Sequence, residues 1–149
     1  MGGRAQDRLV MRYLLDTNVV SDATKATRSK LLTAWMSARH NDELFISSLT
    51  LAEIRRGILG LPVGRKRREF EVWFEGPDGP RETYRGQILP FDERAAMVWA
   101  ELIAQGEALG RPRSPLDMII AATALANDCV IVTGNERHFW GFNLVNPLR

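Results

Sequence analysis

The chain has one cysteine, little histidine, no long hydrophobic run and almost no excess of one charge. Cys129 has no internal partner for a disulfide and no companions for a Cys-rich zinc site, and the two histidines, His40 and His138, lie far apart. The chain therefore reads as a reduced, cytosolic protein. The longest nearly apolar stretch, residues 118–126, is interrupted by a threonine and falls well short of the roughly 20 residues a membrane span needs. A transmembrane helix is excluded. With 20 Lys plus Arg against 18 Asp plus Glu, the net charge of +2 is too small to argue nucleic-acid binding from charge alone. Residues 1–10 lack the apolar core of a secretory signal. They read as a disordered extension, with Met11 as the native start.

The 149 residues, 45% hydrophobic and 26% charged, suit one domain over 11–149 that buries about 68–70% of its unfolded surface. No repeat, linker or low-complexity tract divides it. Short apolar runs at 12–15, 44–47, 87–91 and 129–133 predict buried parallel strands. Between them, apolar residues recur at helical spacing: Leu32, Trp35 and Met36; Leu51, Ile54, Ile58 and Leu61; and Ala95, Val98, Trp99, Leu102 and Ile103 after the N-cap candidate Asp92. A further helix opens at Ser114-Pro115, runs to about Asn127 and is apolar nearly all round, hence central. Residues 65–74 could be helical, but the breakers Gly76-Pro77-Asp78-Gly79-Pro80 predict a loop. Strands alternating with helices give the α/β class, an open parallel sheet with helices on both faces.

In such sheets ligands bind outside the carboxyl ends of the strands. Asp16 closes the first strand, and it is also a candidate N-cap for the helix that follows. Glu53 stands three residues after Thr50, as in a capping box. It nevertheless falls off the apolar stripe of its helix, and Gly57 one turn on leaves space beside it. Asp117 stands three residues after Ser114 and suits the positive end of its helix, but a carboxylate amid apolar neighbours needs pairing, hydrogen bonds or a metal. Three acids so placed would converge, and their repulsion calls for a cation. Hard oxygen ligands without a Cys or His set select Mg2+ or Mn2+ over zinc. Phosphoryl transfer or phosphodiester hydrolysis is the chemistry that uses such a cluster.

The motifs Leu14-Leu15-Asp16-Thr17-Asn18-Val19-Val20-Ser21, Ser47-Ser48-Leu49-Thr50-Leu51-Ala52-Glu53-Ile54-Arg55-Arg56-Gly57, Ile88-Leu89-Pro90-Phe91-Asp92, Asp117-Met118-Ile119-Ile120-Ala121-Ala122-Thr123-Ala124 and Val132-Thr133-Gly134-Asn135 occur in that order. The set resembles the PIN-domain ribonucleases, specifically the VapC and FitB-like toxins of type II toxin–antitoxin pairs, from Met11 to Arg149. The resemblance implies a PIN-like fold, of the RNase H-like or flavodoxin-like kind, and Mg2+- or Mn2+-dependent endonucleolytic cleavage of RNA. It assigns Asp16, Glu53 and Asp117 as metal ligands, with Thr17 and Asn18 orienting Asp16 and water. It further implies a homodimer, neutralised by a small antitoxin that blocks the cleft. Many relatives carry an acid where this chain has Asn135, which here would hold a water in place of a second cation.

Other residues carry competing readings. Arg113, close before Asp117, could meet substrate phosphate or pair with an acid, and Thr133 stands beside the site as a further substrate contact. The basic run Arg65-Lys66-Arg67-Arg68, with Arg55 and Arg56, could line an RNA path. The commoner outcome for such a run is a solvated helix face, here with Glu69 and Glu71 as i, i+4 partners. Trp73 and Trp140 could stack bases, whereas Trp35 and Trp99 lie on apolar stripes. A catalytically silent PIN-like module that binds RNA or a protein is the alternative function. A phosphatase with Asp16 as nucleophile fares poorly, since Asn18 stands where an acid/base carboxylate is wanted.

Overall fold

Residues 11–149 are described by a computed structural model; the expected extension over 1–10 lies outside the described residues. Strands β1 (Tyr13–Leu15), β2 (Leu44–Ser47), β3 (Ile88–Leu89), β4 (Val130–Val132) and β5 (Leu144–Val145) form one sheet in the order β3-β2-β1-β4-β5. Every neighbouring pair is parallel, with Leu14 facing Phe45 on one side and Ile131 on the other. Parallel pairing demands crossovers, and helices supply them. These are α1 (Thr17–Ala23), α2 (Lys30–Ser37), α3 (Ser48–Leu59), α4 (Arg65–Glu75), α5 (Pro80–Thr83), α6 (Glu93–Ala108) and α7 (Pro115–Ala126).

Alternation along the strands separates two cores, because successive side chains point to opposite faces. Leu14 and Ile131 pack with Leu102 of α6, Met118 and Ile120 of α7, and Phe139. Tyr13, Leu15, Leu44, Ile46 and Val132 pack on the other face with Val19 of α1, Leu32 of α2 and Tyr84. The central helix α7 buries seven of its twelve residues, as its nearly all-round apolar surface requires. Among the described residues no helix is long and apolar enough to cross a membrane.

Four strands fall inside the expected runs, the third trimmed to Ile88–Leu89; β5 has no counterpart in the expectations. Helix α3 begins three residues earlier than the Thr50 capping box implies, because Ser47 takes the cap: its hydroxyl accepts from Thr50 N at 3.1 Å. The breakers end α4 as expected, but Pro80 then opens the four-residue α5 at its favoured N1 position. A Cβ at Gly79 would stand 2.2 Å from the Trp73 carbonyl oxygen and 2.5 Å from that of Phe74. Only glycine lets this segment return so close to the end of α4.

Candidate active site

The chain leaves β1 toward β2 on one side, while β4, on the other side of β1, continues outward to β5. The carboxyl ends of β1 and β4 therefore border the switch point where open α/β sheets bind ligands. Asp16 follows β1 and Thr133 follows β4. Asp16 is 5% exposed. Its Oδ1 accepts from Thr17 N at 2.8 Å, the capping bond of α1, and its Oδ2 accepts from the Thr133 hydroxyl at 2.8 Å. The capping reading and the site reading thus hold together, one on each oxygen.

Glu53 reaches the same place from α3. Thr17 Oγ1 donates to Glu53 Oε1 at 2.5 Å and lies 3.1 Å from Thr50 Oγ1, and the Ser47 hydroxyl donates to Thr50 Oγ1 at 3.2 Å. Since the Thr17 proton goes to the carboxylate, the direction is set. Ser47 donates to Thr50, Thr50 to Thr17, and Thr17 to Glu53, in a relay of three hydroxyls. Ser47 and Thr50 are buried, so the relay also satisfies polar groups that would otherwise be costly. Sequence reasoning missed Ser47 and Thr50 as supports; the hydroxyl cluster Ser47-Ser48-Thr50 after a strand was the available signal.

Asp117 projects from the first turn of α7, where Ser114 caps the helix by accepting from Asp117 N at 3.4 Å. Its Oδ2 lies 3.0 Å from His138 Nδ1, with the two side chains 24% and 57% exposed respectively. His138 belongs to a 3-10 turn, Glu136–Phe139, that follows Asn135. Burial raises the Asp16 pKa most; the bonds from Thr133 and Thr17 oppose it, and the charges of Asp117 and Glu53 push it further up. Asp117 and Glu53 thus both act on Asp16. Among the described residues no Lys or Arg pairs with Asp16 or Glu53.

Asn18 Oδ1 faces Gly134 N at 3.5 Å, and Asn135 N donates to Thr133 Oγ1 at 2.9 Å, so the turn after β4 is tied to the end of β1. The Asn135 side chain is exposed and does not cap the turn it opens. Arg113 is not brought to the carboxylates. It is 9% exposed, donates to the Trp140 carbonyl at 2.8 Å, and stacks its guanidinium 3.5 Å from the Trp140 ring centroid and 4.9 Å from that of Phe142. Against the expectation of a phosphate contact, it clips the turn carrying His138 to the start of α7, and its Nε is buried without a partner.

Among the described residues no three His, Cys, Asp and Glu side chains are gathered so as to hold a metal ion by themselves, so the expected convergence of Asp16, Glu53 and Asp117 on one ion is not formed as a ready-made set. The arrangement is open, and it suits an ion that keeps several waters and takes one or two carboxylates plus substrate phosphate, as Mg2+ does. The all-oxygen donor set and the uncompensated negative charge at Asp16 fit a hard divalent cation. A cavity of about 390 Å3 adjoins Glu53, with Gly57 in its wall and nothing within 4 Å of where a Gly57 Cβ would stand.

The PIN domain family profile matches residues 13–140. The chain is 35% identical over 136 residues to the VapC ribonuclease Y4jK of Sinorhizobium fredii, covering 90% of this chain and 96% of that protein. It is 30% identical to the toxin FitB of Neisseria gonorrhoeae over the same shares of both chains. A solved structure of FitAB bound to an IR36 DNA fragment superposes with a TM-score of 0.83 at 28% identity, covering 92% of this chain and 96% of that one.

Proposed function

The chain belongs to the PIN-domain family, and from that premise we propose that it is a divalent-metal-dependent endoribonuclease, the toxin of a toxin–antitoxin pair. The observation that carries this reading is Asp16. It is a buried carboxylate at the switch point, raised in pKa by burial and by two further acids, with no cationic side chain paired to it among the described residues. Asp16, Glu53 and Asp117 would hold Mg2+ or Mn2+. When bound, such an ion supplies Lewis-acid stabilisation of phosphate charge and an activated water for in-line hydrolysis of the phosphodiester.

The chain's own residues prepare that chemistry. Thr133 and the Thr17 N–H hold both oxygens of Asp16, so its carboxylate keeps one orientation. The hydroxyl relay through Thr17 restrains Glu53, and His138 restrains Asp117. Supports of this kind hold ligands in one orientation, and the bonds donated to Asp16 also favour its ionised form, the one that binds a cation. Asn135, exposed beside Thr133, would hold water where many relatives carry an acid. The partner is a small antitoxin that covers the cleft, and the protein works as a homodimer; the likeness to FitB in FitAB supports the first of these.

The test is incubation of the purified protein with tRNA and ribosomal RNA, with Mg2+ or Mn2+ and with EDTA. Cleavage that needs the ion and stops in chelator is expected; cleavage undiminished in EDTA would overturn the reading. A catalytically silent module that binds RNA or a protein is the second reading, favoured by the neutral Asn135. Asp117→Asn separates the two, because it abolishes cleavage in the first case and changes nothing in the second.

A further inference from the structure

The cavity beside Glu53 lies between α1, α3 and α4, and its walls include Thr17 and Glu53 themselves together with Phe70 and Trp73. We propose that it is a nucleobase subsite, which takes the base of a nucleotide flanking the phosphate to be cut in single-stranded RNA. The proposal rests on the ribonuclease reading above and names how the same site grips its substrate.

Three observations converge on a nucleotide. The first is continuity: Thr17 and Glu53 serve both the carboxylate site and the cavity wall. A phosphate lying at the carboxylates therefore brings its neighbouring nucleotide to the cavity mouth. The second is aromatic surface. Phe70 is 41% exposed, its ring centroid lies 6.3 Å from that of Trp73 in an edge-to-face pair, and Trp73 also borders smaller hollows of about 220 and 180 Å3. Open aromatic rings are platforms on which unpaired bases stack with little sequence preference.

Charge is the third. The chain has three lysines, and two of them, Lys25 and Lys66, line this cavity. Three arginines of the same basic set are engaged elsewhere, Arg65 with Glu69 and both Arg55 and Arg67 with Glu71, and Arg68 does not line the cavity. Of the basic run on α4, Lys66 is the residue left facing the cavity, and neither lysine is ion-paired among the described residues. An apolar peptide would leave both ammonium groups without a partner, whereas the phosphates flanking a seated base pair with them. The volume of about 390 Å3 lies in the range of small-ligand pockets.

The test uses the full chain with Mn2+ and an end-labelled single-stranded RNA of mixed sequence. Phe70→Ala removes the exposed ring. Gly57→Leu fills the cavity from α3, a site open enough to accept it and one where leucine favours the helix. Both are expected to raise KM about tenfold with the melting temperature retained, and Phe70→Trp is expected to restore binding. RNA carrying 4-thiouridine, irradiated with the uncut Asp117→Asn protein, is expected to cross-link within residues 69–81. Unchanged KM in both variants, or cross-links confined to other segments, would overturn the proposal while leaving the ribonuclease reading intact. Loss of binding to the small partner protein proposed above without a change in KM would also overturn it, assigning the cavity to that protein. Failure of the native chain to bind or cut RNA would remove both readings together.

Discussion

Replacing Asp16 by Asn is expected to raise the melting temperature of the metal-free protein while abolishing RNA cleavage. An acid whose folded-state pKa lies above its unfolded value holds its proton more tightly when folded. Its contribution to stability is present below pH 3.8 and is lost as the pH rises through the raised value. At neutral pH the ionised Asp16 is therefore a burden on the metal-free fold, and asparagine keeps an oxygen for Thr17 N without the charge. Thermal melts in EDTA at pH 5 and pH 7.5 check this: the gap between the two proteins should widen at the higher pH. Thr133→Val removes the bond to Asp16 Oδ2 and an acceptor for Asn135 N. A loss of 10- to 100-fold in metal affinity or activity is expected, read by titration calorimetry with Mn2+, with Thr133→Ser near native. At this scale the sequence shows the acids readily, because each sits where a strand gives way to a helix. It hides their supports: Thr17 meets Thr50 and Glu53 across 33 and 36 residues, and no local pattern reports such a meeting. Arg113 misleads for the opposite reason, since nearness in sequence to Asp117 says nothing of which way its side chain turns.

Among the elements, the start of α3 joins stability to the site. Ser47 ends β2, caps α3 and begins the hydroxyl relay. Ser47→Ala is expected to cost about 1 kcal/mol and to lower the melting temperature by about 3 °C. It should also weaken cleavage, since Thr50 loses the donor behind it; circular dichroism melts and a cleavage assay check the two effects. Long helices with strong periodicity, α6 and α7, are legible almost to the residue because Asp92 and Ser114-Pro115 mark their starts. The start of α3 is ambiguous because Ser47 and Thr50 both carry capping hydroxyls. What decides between them is the end of β2, a matter of pairing with distant strands. The two-residue β5 has no apolar run of its own and exists because β4 offers Ile131 and Val132 as partners.

For the whole molecule, burial sets a limit at alkaline pH. Tyr84 is 7% exposed in the core that lies on the β1–α1 face, and burial pushes its pKa up to about 12; the Cys129 thiol, also buried, is pushed up to about 11. The unfolded chain releases these protons first, so stability is lost as the pH rises from about 9 to 11 for Cys129 and from about 10 to 12 for Tyr84. For Tyr84 the loss is about 3 kcal/mol. Urea unfolding across that range should show Tyr84→Phe declining less than the native chain between pH 10 and 12, the loss at Cys129 being common to both. The α/β class and the order of elements follow from alternating strand and helix signals. The strand order does not, because it is fixed by how the two cores close around Leu14 and Leu15.

The bond between Thr133 and Asp16 spans 117 residues, and β4, which delivers it, is next to last in the sheet. During synthesis Asp16 waits, without its companion hydroxyl, until the 117 residues that separate it from Thr133 have been added. A polypeptide that stops short of β4 lacks the hydroxyl that fixes Asp16, so it is expected to share the weakened metal affinity of Thr133→Val.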